Sequence, residues 1–311
     1  YLRVMKDLQK TLKREYIFEG KGLHTGLKVN MTLAPAPADT GVVFFRTDLG
    51  ENARVEALVD YVTQTQRGTT LQNGEVSVST IEHVLSAFVG LGVDNAYIYL
   101  DAPEAPIMDG SAKPFVEAIV PDGLETQDAP RKYYVVKEEI SFKDEQSGSE
   151  LILLPSENYE IDLTIDYNSK VLGVQSAHYS SETTDYASEI APCRTFCFFH
   201  ELEFLFKHNL IKGGDLENAI VIAENEVPQD ELDKISSLLG VTSVKRVSTG
   251  YLNNVDLRFG NECARHKLLD VLGDFSLIGY RLKGKVIAVK SGHKINTQMA
   301  RIIREKAKKE I

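Results

Sequence analysis

The sequence predicts an α+β protein made of two similar halves. Three observations carry that expectation. A helix-forming pattern with a histidine occurs twice, in STIEHVLSAFVGLG from Ser79 and in RHKLLDVLGDFSLIG from Arg265. When His83 is aligned with His266, Leu85 falls on Leu268, Val89 on Leu272 and Gly90 on Gly273. Short runs of alternating hydrophobicity precede each copy, and a strand followed by a second helix comes after it, so the order of elements repeats. At 311 residues the chain is long enough for two domains of ordinary size.

The elements follow in order. Alternation over 28–33 and 42–45 reads as strands, with Gly20, Gly22, Gly26, Pro35 and Pro37 as turn residues. Over 80–89 the apolar positions Ile81, Val84, Leu85 and Phe88 recur at helical spacing. Ser79 or Thr80 is the expected N-cap, Glu82 stands in the first turn, and Gly90 and Gly92 end the helix. A strand at 96–100 and a helix at 111–119 come next, the latter entered through Asp109-Gly110. The segment 121–130 is polar and turn-rich and is expected to hold the boundary between domains 1–128 and 129–311. In the second half, strands are expected at 133–140, 150–154 and 159–166, the histidine helix from near Cys263, a strand at 285–289 and a last helix from 296 to about 309. Two segments do not fit the repeat. One, about 196–222, is rich in Phe and Leu and contains Gly213-Gly214. The other, about 225–254, is polar and reads as a surface insertion.

Composition narrows the function. A chain 43% hydrophobic and 26% charged has the balance of a soluble globular enzyme. A net charge of −10 disfavours nucleic acid, because phosphate contacts need clustered Lys and Arg. No apolar run is long enough to span a bilayer, and no signal-peptide pattern is present. Cys193, Cys197 and Cys263 give no disulfide framework, which suits a reducing cytoplasm. Cys193 and Cys197 can be read as metal ligands or as two small, partly buried residues. The chain begins at Tyr1, and Met5 is read as the native start.

The chemistry lies in the repeated helix. His266 and Asp270 are four residues apart, so both side chains leave one helix face. They form either a helical ion pair or two ligands of one metal, and the repeat suggests His83 as a third ligand. Two His and one Asp leave a fourth position for water, as a catalytic zinc requires. Glu82, beside His83, is a general base on that water or simply a first-turn acid favoured by the helix dipole. His293, in KSGHKIN, is a proton donor near neutral pH or an exposed loop histidine, and Asp274 could orient it. His24 lies between glycines and could approach a site. The apolar residues of 196–222 are either core or a groove for an acyl chain.

Several ordered blocks together resemble the UDP-3-O-acyl-N-acetylglucosamine deacetylases (LpxC), the zinc amidases of lipid A synthesis. They are GKGLHTG from Gly20, PAPADTGVVFFRTDL from Pro35, STIEHVLSAFVGLGVDN from Ser79, APEAPIMDGSAKPF from Ala102, RTF at Arg194, RHKLLDVLGD from Arg265 and KSGHKIN from Lys290. The resemblance runs from about residue 13 to 304. It implies that His83, His266 and Asp270 bind Zn2+, that Glu82 is the general base, and that His293, supported by Asp274, is the general acid or oxyanion partner. It implies that the Thr195 hydroxyl serves the oxyanion and that Lys267 meets the nucleotide-sugar end of the substrate. Phe196 and the insert after it would line the acyl passage, and Leu23 and His24 would touch substrate. It also implies two domains, each a small, mostly antiparallel sheet with two helices, the helices packed between the sheets. The chain departs from the family pattern at Cys193 and Cys197 and in the length of 225–254. Some members of the family continue into a hydroxyacyl carrier-protein dehydratase, and the charged end, KAKKEI, is compatible with that.

Two other classes compete. A zinc peptidase would need a second motif histidine where Ala87 stands. A binding protein for an acyl lipid or nucleotide sugar with a structural zinc would need four protein ligands, and it leaves Glu82 without a task.

Overall fold

The computed structural model describes residues 7–208, 217–239 and 243–310. Met5 and Gly213-Gly214 lie outside the described residues.

Alternating burial along the strands builds two sheets of the same design. The first contains Tyr16–Lys21, Lys28–Pro35, Val42–Arg46, Arg54–Glu56 and Ala96–Leu100. The last strand is inserted between the second and third, antiparallel to Lys28–Pro35 and parallel to Val42–Arg46. The second sheet contains Ile140–Asp144, Ser149–Leu154, Tyr159–Asp166, Val174–Ser180 and Arg281–Val289. Its last strand is again inserted between the second and third, antiparallel to one and parallel to the other. Along these five strands each sheet is thus mostly antiparallel with one parallel pair. That pair requires a crossover, and a helix supplies it.

The helices are α1 (Glu82–Leu91), α2 (Lys113–Ile119), the short α3 (Tyr186–Glu189), α4 (Phe199–Lys207), α5 (Gln229–Leu239), α6 (Glu262–Ser276) and α7 (His293–Glu310). α1 and α6 each enter the inserted strand of their sheet, and α2 and α7 each follow it. One continuous core joins Leu33, Phe44 and Ile98 of the first sheet to Leu151, Ile161 and Val286 of the second through α1 and α6. α1 and α6 therefore form the layer between the sheets.

The aligned glycines explain how closely these helices approach. A Cβ on Gly273 would lie 2.1 Å from the Glu82 carbonyl oxygen, and one on Gly90 would lie 2.2 Å from the Tyr186 ring. Gly273→Ala is therefore expected to push α6 off the start of α1. Overpacking of this kind costs about 1–3 kcal/mol, measurable as a lower Tm, and here the backbone that must move carries Glu82.

Five local expectations are corrected. α1 has Ile81 at its cap position with no side-chain cap. Thr80 instead donates its hydroxyl to the buried Glu104 carboxylate (2.8 Å), and Ser79 donates to the Pro103 carbonyl (3.3 Å). The segment 121–130 is largely a strand, Leu124–Pro130, antiparallel to Leu8–Leu12. The expected strand 133–140 is broken: Tyr133–Val135 lies parallel to the start of Arg281–Val289, and Val136 then turns inward over Gly284 before Ile140–Asp144 begins. α7 starts at His293 rather than three residues later, straight after the left-handed Lys290 (φ 51°) and Gly292. The polar segment 225–254 is no mere surface excursion. Leu232 and Ile235 of α5 join Phe199, Leu202, Val221 and Leu252 in a second small core. This core sits beside the parallel pair Phe196–Phe198 and Ile220–Ile222, so the two inserts form one unit.

Candidate active site

The start of α1, one face of α6 and the start of α7 meet at one buried point. α1 supplies Glu82 and His83, α6 supplies His266 and Asp270 one turn apart, and α7 supplies His293 as its first residue. The His83 and His266 rings stand edge to face, centroids 5.0 Å apart. Their Nε2 atoms lie 3.8 and 3.5 Å from Asp270 Oδ1. One ligand atom from each residue lies within 4.8 Å of the others, and among the described residues this is the group able to hold a metal ion.

The donor set fits a divalent cation. Asp270 Oδ1 is buried and has no hydrogen-bond partner, which is costly for a carboxylate unless a cation completes it. His266 Nδ1 bonds the Cys193 carbonyl at 2.9 Å. Its proton is therefore on Nδ1, and the Nε2 lone pair is left for a metal. Burial, joined by the neighbouring His266, holds His83 down to about 3, and burial also depresses His266, so both rings are neutral as ligands must be. Burial pushes the other way on Asp270, but the adjoining His266, with the charged Lys267 and His293, prevails and holds it ionised. Lys267 Nζ donates to Asp270 Oδ2 at 3.3 Å.

Glu82 and His293 stand beside this group. Glu82 Oε2 accepts the Thr69 N–H at 3.1 Å, and Glu82 Oε1 lies 3.6 Å from His293 Nε2. Burial pushes Glu82 up to about 7, against the opposing charge of His293. His293 Nδ1 donates to Asp274 Oδ2 at 2.7 Å. Burial would lower His293, but Asp274 first and Glu82 second raise it to about 10. Asp274 is wholly buried and also accepts the Thr69 hydroxyl (2.6 Å) and the Asn296 amide (2.9 Å). A buried carboxyl and a buried imidazole, both raised from their ordinary values, thus stand side by side.

These groups line a cavity of about 770 Å³ whose wall also includes Leu23, His24, Thr195, Phe196 and Lys267. All the residues expected from sequence to bind metal, move protons or touch substrate therefore surround one space, except Asp274, which lies behind His293. The loop with Leu23 and His24 is held by Glu104, which accepts the His24 and Thr25 N–H groups. Phe198, at the end of its strand, and Leu202, Phe204 and Leu205 of α4 extend the wall, whereas Phe199 turns into the small second core, which Leu202 also reaches. The apolar run is thus partly groove and partly core. Cys193 and Cys197 are free, burial pushes both thiols up to about 12, and neither belongs to the metal group.

Thr69 and Asn296 were not foreseen. Asn296 follows His293 by three residues on one helix face, a spacing that could have revealed it. Thr69 carries no such signal, because only the fold brings it to Asp274.

The sequence matches the family described as LpxC, UDP-3-O-acyl N-acetylglycosamine deacetylase, over residues 9–236 and 241–305. The chain belongs to this deacetylase family. The break in the match falls at the end of α5, in the insertion. The chain is 49% identical over 301 residues to the bifunctional LpxC/FabZ enzyme of Porphyromonas gingivalis, covering 96% of this chain and 65% of that protein. It is 44% identical over 297 residues to the bifunctional LpxC/FabZ enzyme of Bacteroides thetaiotaomicron, covering 96% and 64%. It is 42% identical over 295 residues to the UDP-3-O-acyl-N-acetylglucosamine deacetylase of Pseudomonas entomophila, covering 94% and 89%. The chain therefore spans a little under two thirds of the bifunctional relatives it matches. Among the described residues, no helix is long and apolar enough to cross a membrane.

Proposed function

We propose that this chain hydrolyses the N-acetyl group of UDP-3-O-(3-hydroxyacyl)-N-acetylglucosamine, releasing acetate, in lipid A biosynthesis. The observation that carries this reading is the buried His83, His266 and Asp270 group with Glu82 and His293 beside it at the wall of a mostly apolar cavity.

His83, His266 and Asp270 would hold Zn2+. When bound, zinc is a Lewis acid for the amide carbonyl and lowers the pKa of water beside it to about 7. Glu82 takes a proton from the attacking water as its oxygen bonds to the acetyl carbon. The Thr195 hydroxyl meets the developing oxyanion. His293 Nε2 gives its proton to the sugar nitrogen as the C–N bond breaks, leaving acetate and a free amine. Asp274 holds the opposite ring nitrogen of His293 and keeps the imidazole charged until that transfer. Lys267 meets the nucleotide-sugar end, Leu23 and His24 contact the sugar, and Phe196 with the α4 wall takes the acyl chain.

On this reading residues 1–128 supply Glu82 and His83, and 129–311 supply His266, Asp270 and His293. The enzyme works in the cytoplasm, where its nucleotide-sugar substrate is made. In the full-length protein a hydroxyacyl carrier-protein dehydratase would follow, by analogy with the bifunctional relatives.

Three protein ligands favour a catalytic metal over a structural one. The test is mass spectrometry of products from substrate carrying a labelled acetyl group. Equal amounts of labelled acetate and free amino sugar are expected, with peptide amides left intact. Cleavage of peptides with the acetyl sugar untouched would move the assignment to a peptidase.

A further inference from the structure

Arg67 is a cation at the active-site wall that the steps above leave unused. Among the residues lining the cavity, the fixed cations are Arg67 and Lys267. The Lys267 ammonium, which meets the nucleotide-sugar end on the reading above, is shared with Asp270. Arg67 is exposed, and among the described residues its guanidinium makes no hydrogen bond or ion pair.

The backbone holds Arg67 in place at some cost. Its φ of 61° is in the left-handed region, unusual for a residue other than glycine. Strain of this kind persists where surrounding contacts over-determine it, and here they do. The Arg67 carbonyl accepts the His24 ring N–H at 3.3 Å. A Cβ on Gly68 would lie 3.1 Å from Glu82 Oε1, and the Thr69 N–H bonds Glu82 Oε2. The turn is thus packed directly on the general base, with Arg67 two residues from the amide that holds that base.

The chemistry of the substrate gives this placement a meaning. In a UDP-N-acetyl sugar the reacting acetamide and the diphosphate are borne by adjacent ring carbons. A substrate whose amide reaches Glu82 must bring its sugar-side phosphate within an arginine's length of the same carboxylate. A chain of net charge −10 repels a diphosphate at long range unless a local cation offsets it. A guanidinium matches the spacing of two phosphate oxygens.

We propose that Arg67 binds the diphosphate of the substrate and sets the preference for a nucleotide-activated sugar. This rests on the deacetylase reading above. The test uses the zinc-loaded protein, with Arg67→Gln and Arg67→Lys beside the parent. Calorimetry measures binding of UDP and of uridine, and steady-state kinetics measures acetate release. Loss of a charge-assisted contact predicts UDP binding about tenfold to a hundredfold weaker in Arg67→Gln, with uridine binding unchanged and Arg67→Lys intermediate. KM rises in the same proportion, kcat stays near the parent value, and UDP affinity becomes less sensitive to salt. UDP binding by Arg67→Gln within about twofold of the parent overturns the proposal, being far below the loss expected for a charged contact. If the parent releases acetate and the variant matches it in KM, only the role of Arg67 falls. If the parent neither binds UDP nor releases acetate, the deacetylase reading falls with it.

Discussion

Glu82→Gln is expected to lower kcat by about 10²–10⁴-fold, the usual worth of a positioned general base, with KM and metal content unchanged. The amide keeps the shape of the side chain and can still accept the Thr69 N–H, so the loss reports the missing base rather than a collapsed site. Parent activity should fall as pH drops through about 7, where the buried Glu82 takes up its proton. The same shift has a stability consequence of opposite sense. The folded metal-free protein holds this proton more tightly than the unfolded chain, so ionising Glu82 destabilises it as pH rises through about 7. Glu82→Gln, which mimics the neutral form, should therefore be at least as stable as the parent at pH 8 when both are metal-free. Thermal melts of the two stripped proteins check this. A variant both inactive and clearly less stable would point to a structural role.

Asp274→Asn is expected to impair the acid without touching the metal group. Asp274 is the largest influence holding His293 at about 10, above its ordinary 6.5. For a base raised in this way, the stabilisation is fully present below 6.5 and is lost as pH rises through about 10. Activity needs the protonated ring, so the parent should lose activity at that same alkaline edge. Replacing the carboxylate with a neutral amide removes an opposite charge worth about 1–3 pH units, and the alkaline edge should move down accordingly. His293→Ala should remove that edge and cost about 10²–10⁴-fold in kcat. The deciding measurement is the pH profile of kcat for parent and Asp274→Asn. An alkaline edge that stays put in Asp274→Asn would show that His293 is not the group titrating there.

Much of the site was legible because the repeat writes its chemistry on helices. His266 and Asp270 could be placed on one face by spacing alone, and the repeat then nominated His83, whose ring does meet His266. Gly90 aligned with Gly273, but nothing in the sequence signalled the close approaches that both glycines permit. What escaped depends on tertiary context. Thr69 reaches Asp274 from a turn 205 residues away in sequence. The cap expected at Thr80 was lost because the buried Glu104 carboxylate competes for its hydroxyl. α5 went unread because its apolar positions Leu232, Ile235, Leu238 and Leu239 are diluted by Asp, Glu, Lys and Ser, and only the small core around Leu232 and Ile235 reveals the amphipathic face. The strand Leu124–Pro130 shows no alternation of buried and exposed residues over most of its length, so its polar composition looked like a linker.

The measurement that bears most directly on the central claim is acetate release from UDP-3-O-(3-hydroxyacyl)-N-acetylglucosamine by one preparation in three states. These are as purified, after chelation, and after zinc is restored in equal proportion to protein. The account predicts turnover that disappears on chelation and returns with one zinc per chain, as a three-ligand site requires. Folded, zinc-loaded protein with no turnover, or turnover that survives complete removal of the metal, would contradict it.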